Sequence, residues 1–238
     1  MTSAKLYSAF AHWWPLFSPK EDYAEEAGSF HEIFQTAVTP PPKTMVEFGS
    51  GGGSNAYYLK SHYRMTLVEP SAGMLAVSQA LNPDCEHLTG DMRSVRLERV
   101  FDAVFIHDAI MYLTTKDDLR RAFETAFVHL KAGGIALIAP DFVRETFRPS
   151  TDHGGEDGDG RSMRWLEWTF DPNPTDTVIS AHYVLMFKEG DRVRMEHDAH
   201  SCGVFDRDIW LRLLQDCGFQ TRIVVDIHNR DLFVALKP

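Results

Sequence analysis

Cysteine is scarce in this chain. Only three cysteines, Cys85, Cys202 and Cys217, occur among 238 residues, and no two of them stand in a C-x-x-C pair. An odd number of widely spaced cysteines argues against a disulfide framework and is typical of a reducing compartment. We therefore expect a cytoplasmic protein with reduced, mostly buried thiols.

Long hydrophobic runs are also missing. No apolar stretch in the sequence approaches the ~20 residues that a helix needs to span a bilayer. The first residues, Met1 to Leu6, lead into aromatic and charged side chains instead of an apolar signal core. The sequence thus predicts no membrane association.

Basic residues are outnumbered by acidic ones. The chain has 24 Lys and Arg against 34 Asp and Glu, which gives a formal net charge of −10 at pH 7. Binding to nucleic-acid phosphates needs clustered basic side chains, so this balance disfavours a nucleic-acid partner. With 44% hydrophobic residues, the composition instead suits a single enzyme domain that acts on a small molecule.

The most informative segment runs from an apolar strand into a glycine-rich turn. Gly49, Gly51 and Gly53 allow positive φ angles and let a ligand approach the bare backbone. A helix is predicted to begin at Ser54, and its first N–H groups can meet a negatively charged group. Glu47 would repel phosphate but suits an ammonium group. The combination favours S-adenosylmethionine, whose amino-acid end is zwitterionic, over ATP or a dinucleotide.

Three further predicted strands also end in polar side chains. Glu69 closes the second strand, Asp91 follows the third, and His107 with Asp108 follows the fourth. In an open α/β sheet, ligands bind beyond the carboxyl ends of the strands. There, Glu69 suits a ribose diol, and Asp91 can accept a hydrogen bond from an adenine amine. His107 and Asp108 are candidate catalytic bases that would take a proton from a methyl acceptor.

This order of motifs resembles the class I S-adenosylmethionine-dependent methyltransferases, over residues 20–142 and 204–238. The matching parts are Glu47-x-Gly49-x-Gly51-x-Gly53, Glu69 with Ser71 and Met74, Gly90-Asp91-Met92, and Leu130-Lys131-Ala132-Gly133-Gly134. Residues 22–27 and 198–205 are similar to small-molecule members of that family. Among these members are the sugar-nucleotide N-methyltransferases of antibiotic deoxysugar pathways.

The resemblance implies S-adenosylmethionine as the cofactor and S-adenosylhomocysteine as its product. Glu47 and Gly49 would lie against the methionine moiety, and Glu69 would hold the ribose hydroxyls. Asp91 and Met92 would frame the adenine. The residues predicted to bind the cofactor are Tyr23, Glu47, Gly49, Ser50, Gly51, Gly53, Glu69, Pro70, Met74, Gly90, Asp91, Met92 and His107.

Alternation of strands and helices up to Pro140 predicts an α/β fold with right-handed crossovers. We expect a Rossmann-like, doubly wound, mostly parallel seven-stranded sheet with an antiparallel final hairpin and a small inserted antiparallel β cap. The helix before the fifth strand is predicted from about Lys116 to Lys131, and residues 151–160 are expected to form a mobile loop. The single domain, 1–238, would comprise an N-terminal helical cap (1–43), a cofactor-binding core (44–142), an inserted substrate cap (143–203), and a closing helix and β-hairpin (204–238).

The acceptor is predicted to be a small metabolite methylated on N or O, such as a sugar nucleotide or another acidic molecule. Aromatic faces can pack on a sugar ring, and an arginine can grip a phosphate or carboxylate. The candidate substrate-binding residues are Trp14, Tyr112, Arg144, Trp165, Trp168 and His200. No metal is expected, because His197 and His200 alone are too sparse for a site. The edge strand of the cap hairpin could join two copies, so a homodimer is also predicted.

Two alternatives stay open at this point. Gly51-x-Gly53-x-x-Ala56 also fits the dinucleotide fingerprint, with Glu69 as the ribose acid of an NAD-dependent oxidoreductase. Against this alternative, Glu47 precedes the turn and the sequence shows no second half-repeat of a nucleotide-binding fold. The other alternative is a catalytically silent protein that binds the cofactor on the same fold.

Overall fold

The computed structural model describes residues 4–238, which form two β-sheets. The strands of the larger sheet are β1 (Thr44–Phe48), β2 (Arg64–Glu69), β3 (Glu86–Thr89), β4 (Phe101–Ile106), β5 (Leu130–Ile138) and, after the strands of the smaller sheet, β11 (Gln220–Val225) and β12 (Asp231–Leu236). Their order across the sheet is β11-β12-β5-β4-β1-β2-β3. Strands β1 to β5 are parallel, whereas β12 is antiparallel to β5 and β11 is antiparallel to β12. The predicted seven-stranded sheet with an antiparallel final hairpin is confirmed.

The two faces of this sheet carry separate hydrophobic cores. Successive residues of a strand point to opposite faces, so Val104 packs into one core and Phe105 into the other. The first core is covered by two helices, α5 (Lys116–Val128) and α6 (Arg207–Asp216). The second is covered by α2 (Ala24–Ala37) and α3 (Ser54–Leu59). Helices on both faces make the sheet doubly wound, as expected.

The remaining α-helices of the described residues are short. They are α1 (Trp14–Phe17) and α4 (Ala72–Leu81). The start of α4 is capped by Ser71, whose Oγ accepts a hydrogen bond from the Met74 N–H. Within residues 4–238, no helix is both long and apolar enough to cross a membrane.

Helix α5 ends earlier than the sequence predicted. It stops at Val128, and the extension to Lys131 was wrong because Leu130 already pairs with Phe101 of β4. Gly133, interpreted as part of a helix stop, lies inside β5 with a φ of 76°. The pairing between β4 and β5 shifts register there, and the positive φ of Gly133 accommodates this irregularity in the strand.

The inserted segment forms the smaller, antiparallel sheet. Its strands are β6 (Ser150–Gly154), β7 (Asp157–Gly158), β8 (Arg161–Phe170), β9 (Val178–Glu189) and β10 (Arg192–Gly203). Their order is β10-β9-β8-β6, and β7 also pairs with β8. The predicted hairpin turn at Gly190 joins β9 to β10, with a φ of 57°. The expected antiparallel cap is therefore present.

Residues 151–160 form strands where the sequence predicted a mobile loop. Most of β6 and all of β7 fall in this segment, and both pair with β8. Gly154 lies so close to the ring of Trp165 that a Cβ there would be 2.7 Å from it. The loop prediction was wrong because backbone pairing holds these strands, while their side chains stay exposed and leave no hydrophobic pattern.

The N-terminal residues pack beneath the cap. They form short helical turns at Lys5–Tyr7, Ala11–Trp13 and Lys20–Tyr23, with α1 between the last two. Leu6, Phe10 and Trp13 make a small core with the buried face of the cap sheet, where Phe10 and Phe187 rings lie 4.9 Å apart. The N-terminal segment and the cap thus pack together next to the carboxyl edge of the larger sheet.

Candidate functional site

A cavity of about 430 Å³ lies at the carboxyl edge of the larger sheet. Its walls are the glycine turn after β1 and the residues that follow β2, β3 and β4. Tyr7 and Trp14 of the N-terminal segment close another side. The cavity is therefore at the place where open α/β sheets bind ligands.

The glycine turn is shaped by close packing and by positive φ angles. Gly49, Gly51 and Gly53 have φ angles of 73°, 53° and 78°. A Cβ on Gly49 would overlap the side chain of Ala109, which also faces the cavity. A Cβ on Gly51 would meet nothing closer than Met74 Cε at 3.7 Å. At Gly51, glycine is thus required for its φ angle and for open access to the cavity.

Glu47 is a buried acid without a partner. Its side chain faces the cavity, the residue is 3% exposed, and Oε2 accepts no hydrogen bond. Burial raises the pKa of Glu47 to about 8; His107 lowers it, and Glu69 and Glu26 raise it further. A cation placed beside this carboxyl would restore its charge. Glu47 therefore suits a ligand that carries an ammonium group.

Glu69 is held rigidly at the end of β2. Its Oε2 accepts the Gly51 N–H at 3.1 Å, and its Oε1 accepts the Ser71 N–H at 3.0 Å. Burial raises the pKa of Glu69, while these two backbone hydrogen bonds oppose the rise. Each carboxylate oxygen keeps a free lone pair. The group can accept hydrogen bonds from two adjacent hydroxyls, as a ribose presents them.

Asp91 is paired with an arginine that sequence analysis did not single out. Arg93 Nη2 lies 2.6 Å from Asp91 Oδ2, and Arg93 also contacts Asp118 at 3.2 Å. Hydrogen bonding to Arg93 holds the pKa of Asp91 below its usual value. All three side chains line the cavity, next to Met92. This part of the cavity offers hydrogen-bond acceptors and donors around the apolar side chain of Met92, an arrangement that suits an adenine.

His107 lies among acidic side chains at the end of β4. Its Nε2 is 3.1 Å from Asp108 Oδ1 and 3.3 Å from Glu26 Oε1. Its Nδ1 is 3.3 Å from Asn55 Nδ2. Neither His107 Nε2 nor Asp108 Oδ1 makes a well-aligned hydrogen bond. These groups are available for a ligand in the cavity.

Asp108 has a close neighbour in Asp141. Because β4 and β5 are parallel neighbours, the residues that follow them lie side by side, and the two carboxyl groups are close enough to influence each other's protonation. Burial and then the charge of Glu26 raise the pKa of Asp108 to about 7. Its side chain is 41% exposed, but its Oδ1 atom is buried. Desolvation and then Asp108 raise the pKa of Asp141 above its usual value, although Asp141 is an exposed residue.

The structure brings most of the predicted cofactor residues together. Those that line the cavity are Tyr23, Glu47, Gly49, Ser50, Gly51, Glu69, Pro70, Asp91, Met92 and His107. Gly53 lies behind the turn and caps α3, and Met74 is buried beneath Gly51. Gly90 packs against Val68 and Val95. These three residues shape the walls from outside the cavity.

The predicted substrate residues are more scattered. Trp14 and Tyr112 line the cavity, and His200 supports Tyr112 from behind through a 2.8 Å hydrogen bond. The other three lie elsewhere. Arg144 pairs with Asp171, Trp165 donates its Nε1–H to the Phe17 carbonyl, and Trp168 is 54% exposed on the outer face of the cap.

Several residues at the site were not among the predicted site residues. They are Tyr7, Glu26, Asn55, Arg93, Asp141 and Arg230. Tyr7 belongs to a segment without a motif, and its hydroxyl accepts a hydrogen bond from Tyr112 at 2.8 Å. Arg93 could have been found, because it follows Asp91 by two positions. Glu26 lies in the segment 22–27 that is similar to small-molecule members of the family, and no local signal marked Asn55, Asp141 or Arg230.

Comparison with known proteins agrees with this geometry. A family model described as a methyltransferase domain matches residues 45–134. Over 129 residues, the chain is 30% identical to a dTDP-3-amino-3,4,6-trideoxy-alpha-D-glucopyranose N,N-dimethyltransferase of Streptomyces venezuelae, a match that covers 53% of the chain and about half (54%) of the relative. It is 25% identical over 224 residues to a dTDP-4-amino-2,3,4,6-tetradeoxy-D-glucose N,N-dimethyltransferase of Saccharopolyspora spinosa, covering 91% of the chain and 87% of that relative.

A solved structure shares the whole fold. The crystal structure of DesVI from Streptomyces venezuelae matches with a TM-score of 0.85 at 24% identity, over 96% of this chain and 98% of DesVI. Neither the family model nor the relatives support the NAD-dependent oxidoreductase alternative. The sheet order, the partnerless acid before the glycine turn and the matched methyltransferase domain lead to one family. Residues 45–134 match a methyltransferase domain, and the chain resembles the class I S-adenosylmethionine-dependent methyltransferases in fold and in sequence.

Proposed function

We propose that this methyltransferase methylates the amino group of a small amino-sugar nucleotide. The observation that carries the proposal is the pair of carboxyl groups, Asp108 and Asp141, at the end of β4 and β5 beside His107. The two relatives described above are named as N,N-dimethyltransferases of dTDP-linked amino sugars. Site chemistry and similarity therefore support the same acceptor class.

The acidic pair favours nitrogen over oxygen as the methylated atom. An amine must be neutral to attack a methyl group, and it enters the site largely as a cation. Two adjacent carboxyl groups attract that cation, and a carboxyl with a pKa of about 7 can take its proton at neutral pH. An alcohol is a far weaker acid, so the same carboxyl would be a poor base for an O-methylation.

The aromatic wall supports a sugar ring as the body of the acceptor. Tyr7 and Tyr112 are joined by a 2.8 Å hydrogen bond, and their rings meet edge to face. His200 continues this chain of contacts, from Tyr112 to Asp198 at 3.0 Å. Trp14 lies 5.4 Å from Tyr7, centroid to centroid. Rings held in this way can pack on the apolar face of a sugar.

The proposed mechanism assigns a simple task to each part of the site. Glu47 would hold the amino group of S-adenosylmethionine, Glu69 its ribose, and Asp91 with Met92 its adenine. When bound, this cofactor supplies an electrophilic methyl group on its sulfonium. Orientation of the acceptor by the site can contribute ~7–11 kcal/mol to the lowering of the barrier. Asp108 would accept the proton that the amine loses. A base positioned in this way accelerates a reaction roughly 10²–10⁴-fold.

A matched pair of acceptors tests the proposal. We would assay methyl transfer to a dTDP-linked 3-amino or 4-amino deoxysugar and to the same nucleotide with a hydroxyl in place of the amine. We expect methylation of the amino compound only. Equal rates on the hydroxyl compound would refute the assignment of nitrogen, and turnover of a free amine but of no sugar nucleotide would refute the acceptor class.

We also propose that two copies associate through the outer face of the cap sheet. Five large apolar side chains on β8, β9 and β10 are exposed there: Leu166, Trp168, Val184, Met186 and Met195, by 44%, 54%, 42%, 39% and 68%. A continuous exposed apolar patch is typical of an interface, and a flat sheet face can pack against its own copy about a two-fold axis. Analytical ultracentrifugation of Met195→Glu tests this proposal; a wild-type monomer at micromolar concentration would refute it.

The cysteines support the proposed cytoplasmic location. Cys85, Cys202 and Cys217 are all free, as a reducing compartment would keep them. Fractionation of cells that express the chain would test this location; recovery outside the cytoplasm would contradict it.

A further inference from the structure

Glu26 and Arg230 form a buried ion pair beside the cavity. Arg230 Nη2 lies 2.8 Å from Glu26 Oε2, and the side chains are only 15% and 9% exposed. Arg230 Nε also donates to Asp226 Oδ2 at 2.7 Å, and the Asp226 side chain is 1% exposed. Taking charges out of water is costly, so a buried pair of this kind is weak support for stability alone. Its place next to His107 indicates a second role.

The second carboxylate oxygen of Glu26, Oε1, contacts both Asn55 and His107. Glu26 Oε1 accepts a hydrogen bond from Asn55 Nδ2 at 3.3 Å and lies 3.3 Å from His107 Nε2. Asn55 Nδ2 also lies 3.3 Å from His107 Nδ1. A flipped Asn55 amide would direct its oxygen at the Glu26 carboxylate, so Glu26 selects the orientation with the nitrogen toward His107. In this orientation of Asn55, a neutral form of the His107 ring accepts at Nδ1 and carries its proton on Nε2.

This tautomer directs the His107 proton toward the acidic groups of the site. His107 Nε2 lies 3.1 Å from Asp108 Oδ1, an oxygen without a well-aligned hydrogen bond. Glu26 therefore acts on the His107–Asp108 pair through Asn55, and Arg230 holds Glu26 in place. The charged and titratable groups that face Asp108 are Glu26, His107, Asp141, Tyr7, Tyr23 and Arg230.

Glu26 and Arg230 also act on Asp108 with opposite charges. Burial raises the pKa of Glu26, but the close contact with His107 and the charge and hydrogen bond of Arg230 outweigh it and lower the pKa to about 2. Glu26 is thus ionised throughout the neutral range. Next to burial, its charge is what raises the pKa of Asp108, whereas Arg230 lowers that pKa.

We infer that Glu26 and Arg230 are positioning residues for methyl transfer, which orient His107 through Asn55 and balance the charge around Asp108 without contacting the acceptor. The inference rests on the proposed function, in which Asp108 accepts the proton of the amine. The two residues are 204 positions apart in the sequence, and only the fold joins the N-terminal helix α2 to the turn between β11 and β12.

The first test measures the His107 tautomer and needs no acceptor. The ¹⁵N shifts of the His107 ring would be recorded by NMR in the complex with S-adenosylhomocysteine, with His107→Asn to assign the signals. We expect the Nε2–H tautomer in the wild type and a mixture of tautomers in Glu26→Gln. An unchanged ring spectrum in Glu26→Gln would overturn the positioning role, and so would the Nδ1–H tautomer in the wild type.

The second test uses the opposite charges of the pair. In the pH profile of kcat/KM on the amino-sugar nucleotide, Glu26→Gln should move the acidic limb to lower pH, and Arg230→Gln should move it to higher pH. Both variants should lower kcat by about 10–100-fold, because each loses part of the rate acceleration that a positioned base supplies. The cofactor affinity should change little. Shifts in the same direction, or none, would contradict the inference.

Two controls separate positioning from folding. Arg207→Gln removes a comparable ion pair, Arg207 with Asp231 at 2.7 Å, near the same hairpin but away from His107. It should leave the pH profile and kcat unchanged. Arg230→Lys keeps the charge and should restore most of the kcat that Arg230→Gln loses; no rescue would overturn the charge argument. If no amino-sugar nucleotide is turned over, the proposed function fails, while the NMR result still decides the positioning of His107.

Discussion

Glu47 allows a test of the cofactor site without any knowledge of the acceptor. Burial raises the pKa of this carboxyl from 4.5 to about 8, and its Oε2 has no hydrogen-bond partner. We expect the ammonium group of S-adenosylhomocysteine to bind beside Glu47 and to return it to the charged form. Binding at neutral pH should therefore release a proton.

The expected size of this effect follows from the pKa. With a value of about 8, the carboxyl of Glu47 is about 90% protonated at pH 7 and about 10% protonated at pH 9. Binding should then release about 0.9 proton at pH 7 and about 0.1 at pH 9. The affinity should rise about tenfold from pH 6 to pH 7 and level off above pH 8.

The same carboxyl has an opposite effect on the free protein. Its pKa is higher in the folded state than the 4.5 of an exposed glutamate, so the folded state binds more protons between pH 4.5 and about 8. The free energy of unfolding therefore falls as the pH rises through that window, by at most about 3 kcal/mol at pH 7. We expect Glu47→Gln to be more stable than the wild type at pH 8 and little different at pH 5.

Calorimetric titration with S-adenosylhomocysteine in two buffers of different ionisation enthalpy measures the released protons. Glu47→Gln is the matched control, because it keeps the shape of the side chain and removes the titration. It should bind about 10–100-fold more weakly, as expected for loss of one hydrogen bond to a charged group. Equal proton release by the wild type and Glu47→Gln would refute the reasoning.

Further predictions concern the turn, the base and the rejected dinucleotide. Gly49→Ala places a methyl group on Ala109 and should weaken S-adenosylhomocysteine binding on the order of 100-fold, whereas Gly133→Ala, at a similar φ of 76° but in open space, should not. Asp108→Asn should lower kcat by about 100-fold or more, while the cofactor Kd stays within about threefold; an unchanged kcat would remove Asp108 from the chemistry. NAD should give no binding signal in the calorimeter, and micromolar NAD binding would contradict the assignment of Glu47 and Glu69.

Much of the fold and of the candidate cofactor site could be predicted from local sequence. Alternating strand and helix patterns indicated the parallel sheet, and acids or glycines after successive strands had to meet at one edge. This reasoning placed Glu47, Glu69 and the glycine turn at one cavity, because each lies within a few residues of its strand end. Residues 151–160 were missed because backbone pairing to β8 leaves no hydrophobic pattern.

The acidic surroundings of His107 were decided by tertiary structure. Asp141 reaches Asp108 only because β4 and β5 are neighbours, and Arg230 reaches Glu26 across 204 positions of sequence. Arg144 was predicted to bind the acceptor, but in the folded chain it forms an ion pair with Asp171. Local sequence determines where strands end and which ligand groups they can meet, since those are short-range properties. Which charges become neighbours, and hence which carboxyl keeps a proton near neutral pH, depends on distances and burial that only the folded chain sets.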